Sequence, residues 1–217
     1  MNYVILISGR GSNMQALLDN HLPGRCAAVI ANRPQAAGLA FAAARGVPTA
    51  VVDDREFSSR EDFDDALRRE IDRHAPGLVL LAGFMRILGE AFARHYAGRL
   101  LNIHPSLLPD FPGVKTHARA LAAGIKTHGC AVHFVTPALD GGPLIARAAV
   151  PVLAGDDEQT LASRVLAREH RLYPRVARWF LEGRLQLVGE RVLRDGVPLP
   201  ALGLDCTSAD ADTDDGD

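Results

Sequence analysis

Residues 101–109 read L-N-I-H-P-S-L-L-P, an apolar run that delivers an amide, Asn102, and an imidazole, His104, just before Pro105. Residues two apart on an extended strand share a face, so Asn102 and His104 point to the same side. An uncharged amide donor suits the stabilisation of an oxyanion. An imidazole can donate to the same oxygen and exchange protons near neutral pH. A second polar cluster, L-D-G-G over 139–142, places Asp140 where glycines end another apolar run. Its carboxylate could orient the imidazole, favour its charged form, or relay a proton through water. Taken singly, an Asn or His near a strand end is more often structural, and Asp-Gly is a common turn. Taken together, the three groups are the parts of a site that moves an acyl group.

A further polar segment, S-G-R-G-S-N over 8–13, follows a first strand and opens a first helix. Glycines allow a tight turn, and a helix N-terminus offers unpaired N–H groups and a partial positive charge, a combination that binds phosphate. A dinucleotide fingerprint needs a third glycine at position 14, where Met14 stands, and an acidic residue after the second strand, where Asn32 and Arg33 stand. A nicotinamide cofactor is therefore not expected. No G-K-[ST] follows, so this is not a Walker loop either. A phosphomonoester site is the preferred reading; the competing one is an ordinary strand–helix turn with Ser12 as N-cap.

The elements that must position these groups are legible as alternating patterns. Strands are predicted over 3–8, 27–31, 49–53, 78–82 and 100–104, and helices over 13–20, 36–45, 60–74 and 89–96. In the third helix Phe63, Leu67 and Ile71 recur at four-residue steps among charges. The uninterrupted apolar run at 78–82 is that of a central parallel strand buried on both faces. Such alternation predicts an α/β fold: a doubly wound, mostly parallel, Rossmann-like sheet with helices on both faces. Beyond it the rhythm changes to strands over 127–136 and 144–150, read as a mixed edge, then a long C-terminal helix over 158–181 that Pro174 should kink or break. A terminal hairpin is expected over 185–193. In an open parallel sheet, ligands gather beyond the carboxyl ends of the strands. The Gly11 loop, G-F-M-R-I-L after Ala82 and the Asn102/His104 end all fall on that edge.

Composition narrows the classes. Length, 217 residues, fits one large domain. We read residues 1–204 as that domain and 205–217 as an acidic tail expected to be disordered, since six of the 26 acidic residues lie there. All 24 cations precede the tail and outnumber the 20 acids with them, leaving a mildly cationic body compatible with an anionic small molecule. There is no dense Lys/Arg block of the kind that grips nucleic acid, and no apolar run long enough to span a bilayer. Cys26, Cys130 and Cys206 are too dispersed for a zinc site and read as reduced, mostly buried thiols. With no leader pattern at the N-terminus, a cytoplasmic location is expected.

The segments G-R-G-S-N, L-A-G-F-M-R-I-L, L-N-I-H-P-S-L-L-P, H-F-V-x-x-x-L-D-G-G-P and E-H-R-L-Y-P, in this order, resemble those of the glycinamide ribonucleotide formyltransferases. These are folate-dependent enzymes of purine synthesis, and the likeness covers about residues 1–200. Two related enzymes share parts of the pattern. Methionyl-tRNA formyltransferase adds a C-terminal tRNA-binding domain and formyltetrahydrofolate hydrolase an N-terminal regulatory one; this chain is expected to have room for neither.

The resemblance implies that the formyl group of 10-formyltetrahydrofolate passes to the amine of 5-phosphoribosylglycinamide, with Asn102, His104 and Asp140 as the catalytic trio. It implies that Gly11, Ser12 and Asn13 hold the substrate phosphate, and that Arg168 and Glu169 lie near the ribosyl-glycinamide. It implies a folate pocket lined by Met85, Arg86, Ile87 and Leu88, by Asn102, and by Thr136, Pro137, Ala138, Leu139 and Asp140, with Arg60 near the folate's glutamate end. The folate enters as co-substrate; no metal, NAD, nucleic acid or membrane is implied, and the assembly is a monomer or homodimer. Asp110 and Lys115 stand in a loop that departs from the pattern. His117 and His133 might tempt a metal reading with His104, but no carboxylate or cysteine stands at ligand spacing. Two other readings remain to be separated by assay: hydrolysis of formyltetrahydrofolate, and a non-catalytic sensor on the same fold.

Overall fold

The computed structural model describes residues 1–208. Five parallel strands form its centre: β1 (Asn2–Ile7), β2 (Arg25–Ala31), β3 (Thr49–Val51), β4 (Leu78–Leu81) and β5 (Leu100–His104). They lie in the order β3-β2-β1-β4-β5. Beyond β5 the sheet turns mixed. β6 (Thr127–Phe134) runs antiparallel to β5, and β7 (Leu144–Pro151) antiparallel to β6. An edge strand, β11 (Leu204–Asp205), lies parallel to β7. β8 (Leu185–Val188), β9 (Arg191–Arg194) and β10 (Val197–Pro198) form a separate antiparallel sheet, one strand more than the expected hairpin.

Alternation along the central strands explains the layers. In β1, Tyr3, Ile5 and Ile7 face one core while Val4 and Leu6 face the other. The first core receives α1 (Ser12–Asp19), α2 (Gly38–Ala44), α5 (Thr116–Ala122) and α6 (Glu158–Leu181) through Met14, Leu17, Ala42, Ala120, Leu172 and Val176. The second receives α3 (Arg60–Asp72) and α4 (Glu90–His95) through Phe63, Leu67, Ile71, Phe92 and Tyr96. The four-residue stripe read in α3 is thus its buried face. Ser59 caps that helix by accepting from the Asp62 N–H at 3.1 Å.

Several expectations need correction, and one helix carried no sequence signal. α6 is continuous through Pro174, which is buried. Packing of Leu172, Tyr173, Val176, Ala177 and Trp179 against the sheet carries the helix across the missing N–H. Ser12 is not a cap: Gly11 occupies that position with φ 73°, and no side chain caps α1. α5, left unassigned by the sequence pattern, is a seven-residue helix too short to display a period. The boundary expected after residue 204 falls inside β11, and the ordered edge continues as Thr207 Oγ1 accepts from the Ala149 N–H at 2.9 Å. The rest of the tail expected to be disordered, 209–217, lies outside the described residues. The three cysteines are free, but only Cys130 is buried; Cys26 and Cys206 are half-buried, against the expectation of mostly buried thiols.

Tyr173 links α6 to the strands that carry the site. Its fully buried hydroxyl donates towards the carbonyls of Leu81, at 3.0 Å, and Leu101, at 3.1 Å. Burial pushes the phenol well above its usual value, so it remains a donor. Removing the hydroxyl as Tyr173→Phe is expected to cost about 1–2 kcal/mol, the scale of a buried hydrogen bond left half-made. Thermal unfolding of the two proteins should show a drop of a few degrees, and an unchanged midpoint would deny the link any weight.

Candidate active site

β5 ends at His104 because Pro105 cannot continue the ladder, and the chain then loops through a cis Leu108–Pro109 bond towards α5. Both side chains expected to share a face do converge on one cluster. His104 Nδ1 lies 3.5 Å from Asp140 Oδ2, and His104 Nε2 lies 3.1 Å from the Phe111 carbonyl oxygen. Asn102 Nδ2 lies 3.2 Å from His133 Nε2, and that nitrogen lies 3.8 Å from Asp140 Oδ1. Asp140 is thereby seated between two imidazoles, and Oδ2 also accepts from the Gly113 N–H at 2.8 Å. The pocket around it is tight: the His104 and Asp140 side chains are 6% and 9% exposed.

The D-G-G sequence brings Asp140 to this point. A Cβ on Gly142 would stand 1.8 Å from the Phe134 carbonyl oxygen, so only glycine lets the 136–142 loop close over the end of β6. Asp140 itself sits at φ 49°, a left-handed conformation that aspartate tolerates better than most residues.

At the next strand ends, β1 passes through Ser8 and Gly9 to Gly11, which approaches α2 closely. A Cβ there would meet Met14 Cε at 2.9 Å and Gly38 Cα at 3.1 Å, and the backbone is left-handed besides. With Ser12 inside α1 rather than capping it, no side chain caps the first N–H groups of α1. Asn13 donates to Glu169 Oε2 at 2.7 Å, joining the Gly11 loop to α6. Burial raises the Glu169 carboxyl above its usual range, while the Asn13 amide pulls the other way. Gly11, Ser12, Asn13 and Glu169 thus form one cluster. Arg168 does not join it. It lines a small hollow with Ala148, Arg171, Leu172, Arg175 and Cys206, because its neighbour Glu169 takes the face of α6 that meets α1.

The expected folate segments are exposed loops at the same sheet edge. Met85, Ile87 and Leu139 are open to solvent. Two contacts hold the 83–89 loop. The Met85 N–H donates to Ser8 Oγ at 2.7 Å, and the Gly89 N–H to Asp64 Oδ2 at 2.6 Å. Arg86 is anchored rather than free: its Nε lies 3.2 Å from buried Asp54, which also holds Arg33 at 2.8 Å. Leu88 packs on the second core. Thr136, Pro137 and Ala138 follow β6 after Val135, and the Ala138 carbonyl accepts from the Gly141 N–H at 3.1 Å. Arg60 stands apart from the trio, in a cleft between α3 and α4 with Asp64, Gly89 and His95.

Sequence reading missed several groups in this arrangement. The Phe111 carbonyl and the Gly113 N–H are backbone and have no sequence signal. His133 had one, since it alternates with Val132 and Phe134 along β6, but its partner depends on the β5–β6 register. His117 pairs with His128, ring nitrogens 3.2 Å apart, rather than with His104 or His133. Burial and the neighbouring His117 lower His128 to about 4. Among the described residues, no three His, Cys, Asp or Glu side chains are grouped to hold a metal.

Comparison with known proteins finds relatives along nearly the whole chain. Residues 1–177 match the family model described as formyl transferase. The phosphoribosylglycinamide formyltransferase of Escherichia coli K12 is 51% identical over 207 residues, covering 94% of this chain and 98% of that protein. A solved structure of the phosphoribosylglycinamide formyltransferase from Coxiella burnetii superposes with a TM-score of 0.90 at 47% identity, covering 94% of this chain and 98% of that one. A formyltetrahydrofolate deformylase from Pseudomonas syringae is more distant. It has a TM-score of 0.82 at 27% identity and covers 89% of this chain but 65% of that one.

Proposed function

The chain belongs to the formyl transferase family, and from that premise we propose how it works. It transfers a formyl group in purine biosynthesis: the donor is 10-formyltetrahydrofolate and the acceptor is the amine of 5-phosphoribosylglycinamide. The observation that carries this reading is the convergence of Asn102, His104 and Asp140 at the end of β5, on the same sheet edge as an uncapped helix N-terminus joined to Glu169.

The substrate phosphate binds at the first N–H groups of α1 beside Gly11, Ser12 and Asn13, where the helix dipole favours an anion. Glu169 meets the glycinamide end, and a cationic amine arriving there would favour its ionised form. The folate lies against the 85–88 and 136–140 segments, whose apolar side chains and backbone groups suit a flat heterocycle. Arg60 would meet its glutamate end. Arg168 lines the hollow beside Cys206 instead of joining the Asn13–Glu169 cluster, so no role in substrate binding is built on it.

The amine lone pair attacks the formyl carbon, forming the new C–N bond while the carbonyl electrons move to oxygen. Asn102 and His104 donate to that oxyanion. Both ring nitrogens of His104 face oxygens, Asp140 on one side and the Phe111 carbonyl on the other, an arrangement that an imidazolium satisfies fully. To reach the oxyanion the Nε2–H exchanges the Phe111 carbonyl for substrate. Collapse of the intermediate re-forms the carbonyl and breaks the bond to the folate nitrogen. That nitrogen gains a proton as the attacking amine loses one, and Asp140 supports this traffic. No covalent enzyme intermediate is involved: the Cys130 thiol is fully buried and burial pushes it well above its ordinary value. The chemistry needs neither metal nor NAD, and a cytoplasmic enzyme acting on two small molecules is the setting it fits. Among the described residues no helix is long and apolar enough to cross a membrane.

One assay tests the reading. Incubation with 10-formyltetrahydrofolate should deplete the formyl group only when 5-phosphoribosylglycinamide is added. Depletion without the amine would make the chain a hydrolase, and no depletion in either case would make it a binding protein.

A further inference from the structure

β5 and β6 are antiparallel neighbours, and their register sets Asn102 directly opposite His133. The His133 ring is almost wholly buried, at 2% exposure. Its Nδ1 lies 2.9 Å from the carbonyl oxygen of Phe134, and its Nε2 lies 3.2 Å from Asn102 Nδ2. A carbonyl oxygen can only accept, so Nδ1 carries the hydrogen. A neutral ring then presents a lone pair at Nε2, which only the NH2 end of an amide can satisfy. The two ends of an asparagine amide are interchangeable in shape, so the hydrogen-bond partner decides which way it points. Here the partner is fixed in turn by a backbone carbonyl.

We propose that His133 is a positioning residue for formyl transfer: held as its Nδ1–H tautomer by the Phe134 carbonyl, it turns the Asn102 amide so that an N–H meets the formyl oxygen. The amide has two hydrogens. His133 takes one and leaves the other for the reacting atom. Turned over, the amide would set its own oxygen against the developing negative charge and repel it. The inference rests on the role given to Asn102 above, but its chemical core, the tautomer, does not.

The neighbours of the ring bear on the same point. Burial is the dominant influence and disfavours the charged imidazole; nearby His104 acts in the same direction, while the Phe134 carbonyl and Asp140 oppose it. A doubly protonated His133 would set an N–H against the Asn102 NH2 and break the contact. Asp140 Oδ1, at 3.8 Å, would then become the partner of Nε2.

Two measurements decide the matter. In the intact protein with nitrogen-labelled histidine, the His133 ring, identified by its loss in His133→Gln, should show a protonated Nδ1 and a bare Nε2 from about pH 6 to 8, the range in which histidine ordinarily changes charge. An Nε2–H tautomer, or a doubly protonated ring across that range, would overturn the proposal. Steady-state kinetics gives the second readout. His133→Leu fills similar space with no acceptor, and misplacement of a reacting group by about 1 Å can cost about 10²-fold. We expect kcat to fall by roughly 10- to 10²-fold on that basis with both KM values little changed, and His133→Gln, whose side-chain oxygen can accept from Asn102, to recover part of the loss. In an Asn102→Ala background His133→Leu should cost little more. A full additive loss there would show that His133 acts elsewhere and sink the idea. If His133→Leu does not fold, the tautomer alone decides. Failure of the formyl-transfer reading would be seen separately, as absence of amine-dependent transfer by the wild-type protein.

Discussion

Asn102→Ala and His104→Ala are each expected to lower kcat by roughly 10²–10³-fold, the cost of deleting one oxyanion donor. KM for both substrates should stay close to wild type. The split follows from where the donors act. The formyl oxygen of the bound folate carries little charge, and full negative charge develops only when the amine has added. An interaction made mainly in the transition state appears in kcat and in kcat/KM equally. His104 ends β5 and Asn102 lies two residues before it, and neither belongs to the main cores: the strand is anchored by Leu100, Leu101 and Ile103. Circular dichroism of the variants should therefore match wild type. The double variant should lose less than the product of the single losses, because both groups serve one oxygen. Near-normal kcat in either single variant would remove that residue from the oxyanion.

How these groups could be found in the sequence differs from one to the next. Asn102 and His104 were legible because a strand has a two-residue period, and nothing beyond local geometry is needed to place them together. The five parallel strands were legible for a similar reason. Their apolar runs alternate with helical stripes, which gives the doubly wound class but not the order in which the strands pair. Asp140 was legible as chemistry but not as a position. Its arrival beside His104 depends on Gly142 passing within a side chain's reach of the Phe134 carbonyl, a tertiary clearance. His133 was visible only as one more histidine, since its meaning lies in the β5–β6 register across an intervening loop and helix. Phe111 and Gly113 contribute backbone atoms, which any residue would supply. Arg168 was carried over by resemblance alongside Glu169, but adjacent helical positions are about 100° apart and face different neighbours.

Asp140→Asn should separate holding from proton handling. Asparagine has nearly the same shape, so the amide oxygen can still accept from the Gly113 N–H and keep the 136–142 loop in place. The NH2 group then takes the place of Oδ1, 3.8 Å from His133 Nε2, and the same amide oxygen, now uncharged, faces His104 Nδ1. The negative charge beside His104 is gone. We expect kcat to fall by roughly 10²–10⁴-fold, the range a positioned acid–base group contributes. The pH profile should move as well. With no carboxylate left to take part in the proton traffic, the dependence of kcat on pH should differ from wild type. His133 offers no replacement charge, because burial disfavours its charged form. A large loss in kcat with an unmoved profile would assign Asp140 to loop geometry through Gly113 alone. A moved profile with both KM values preserved would place its charge on the path of the proton that leaves the attacking amine.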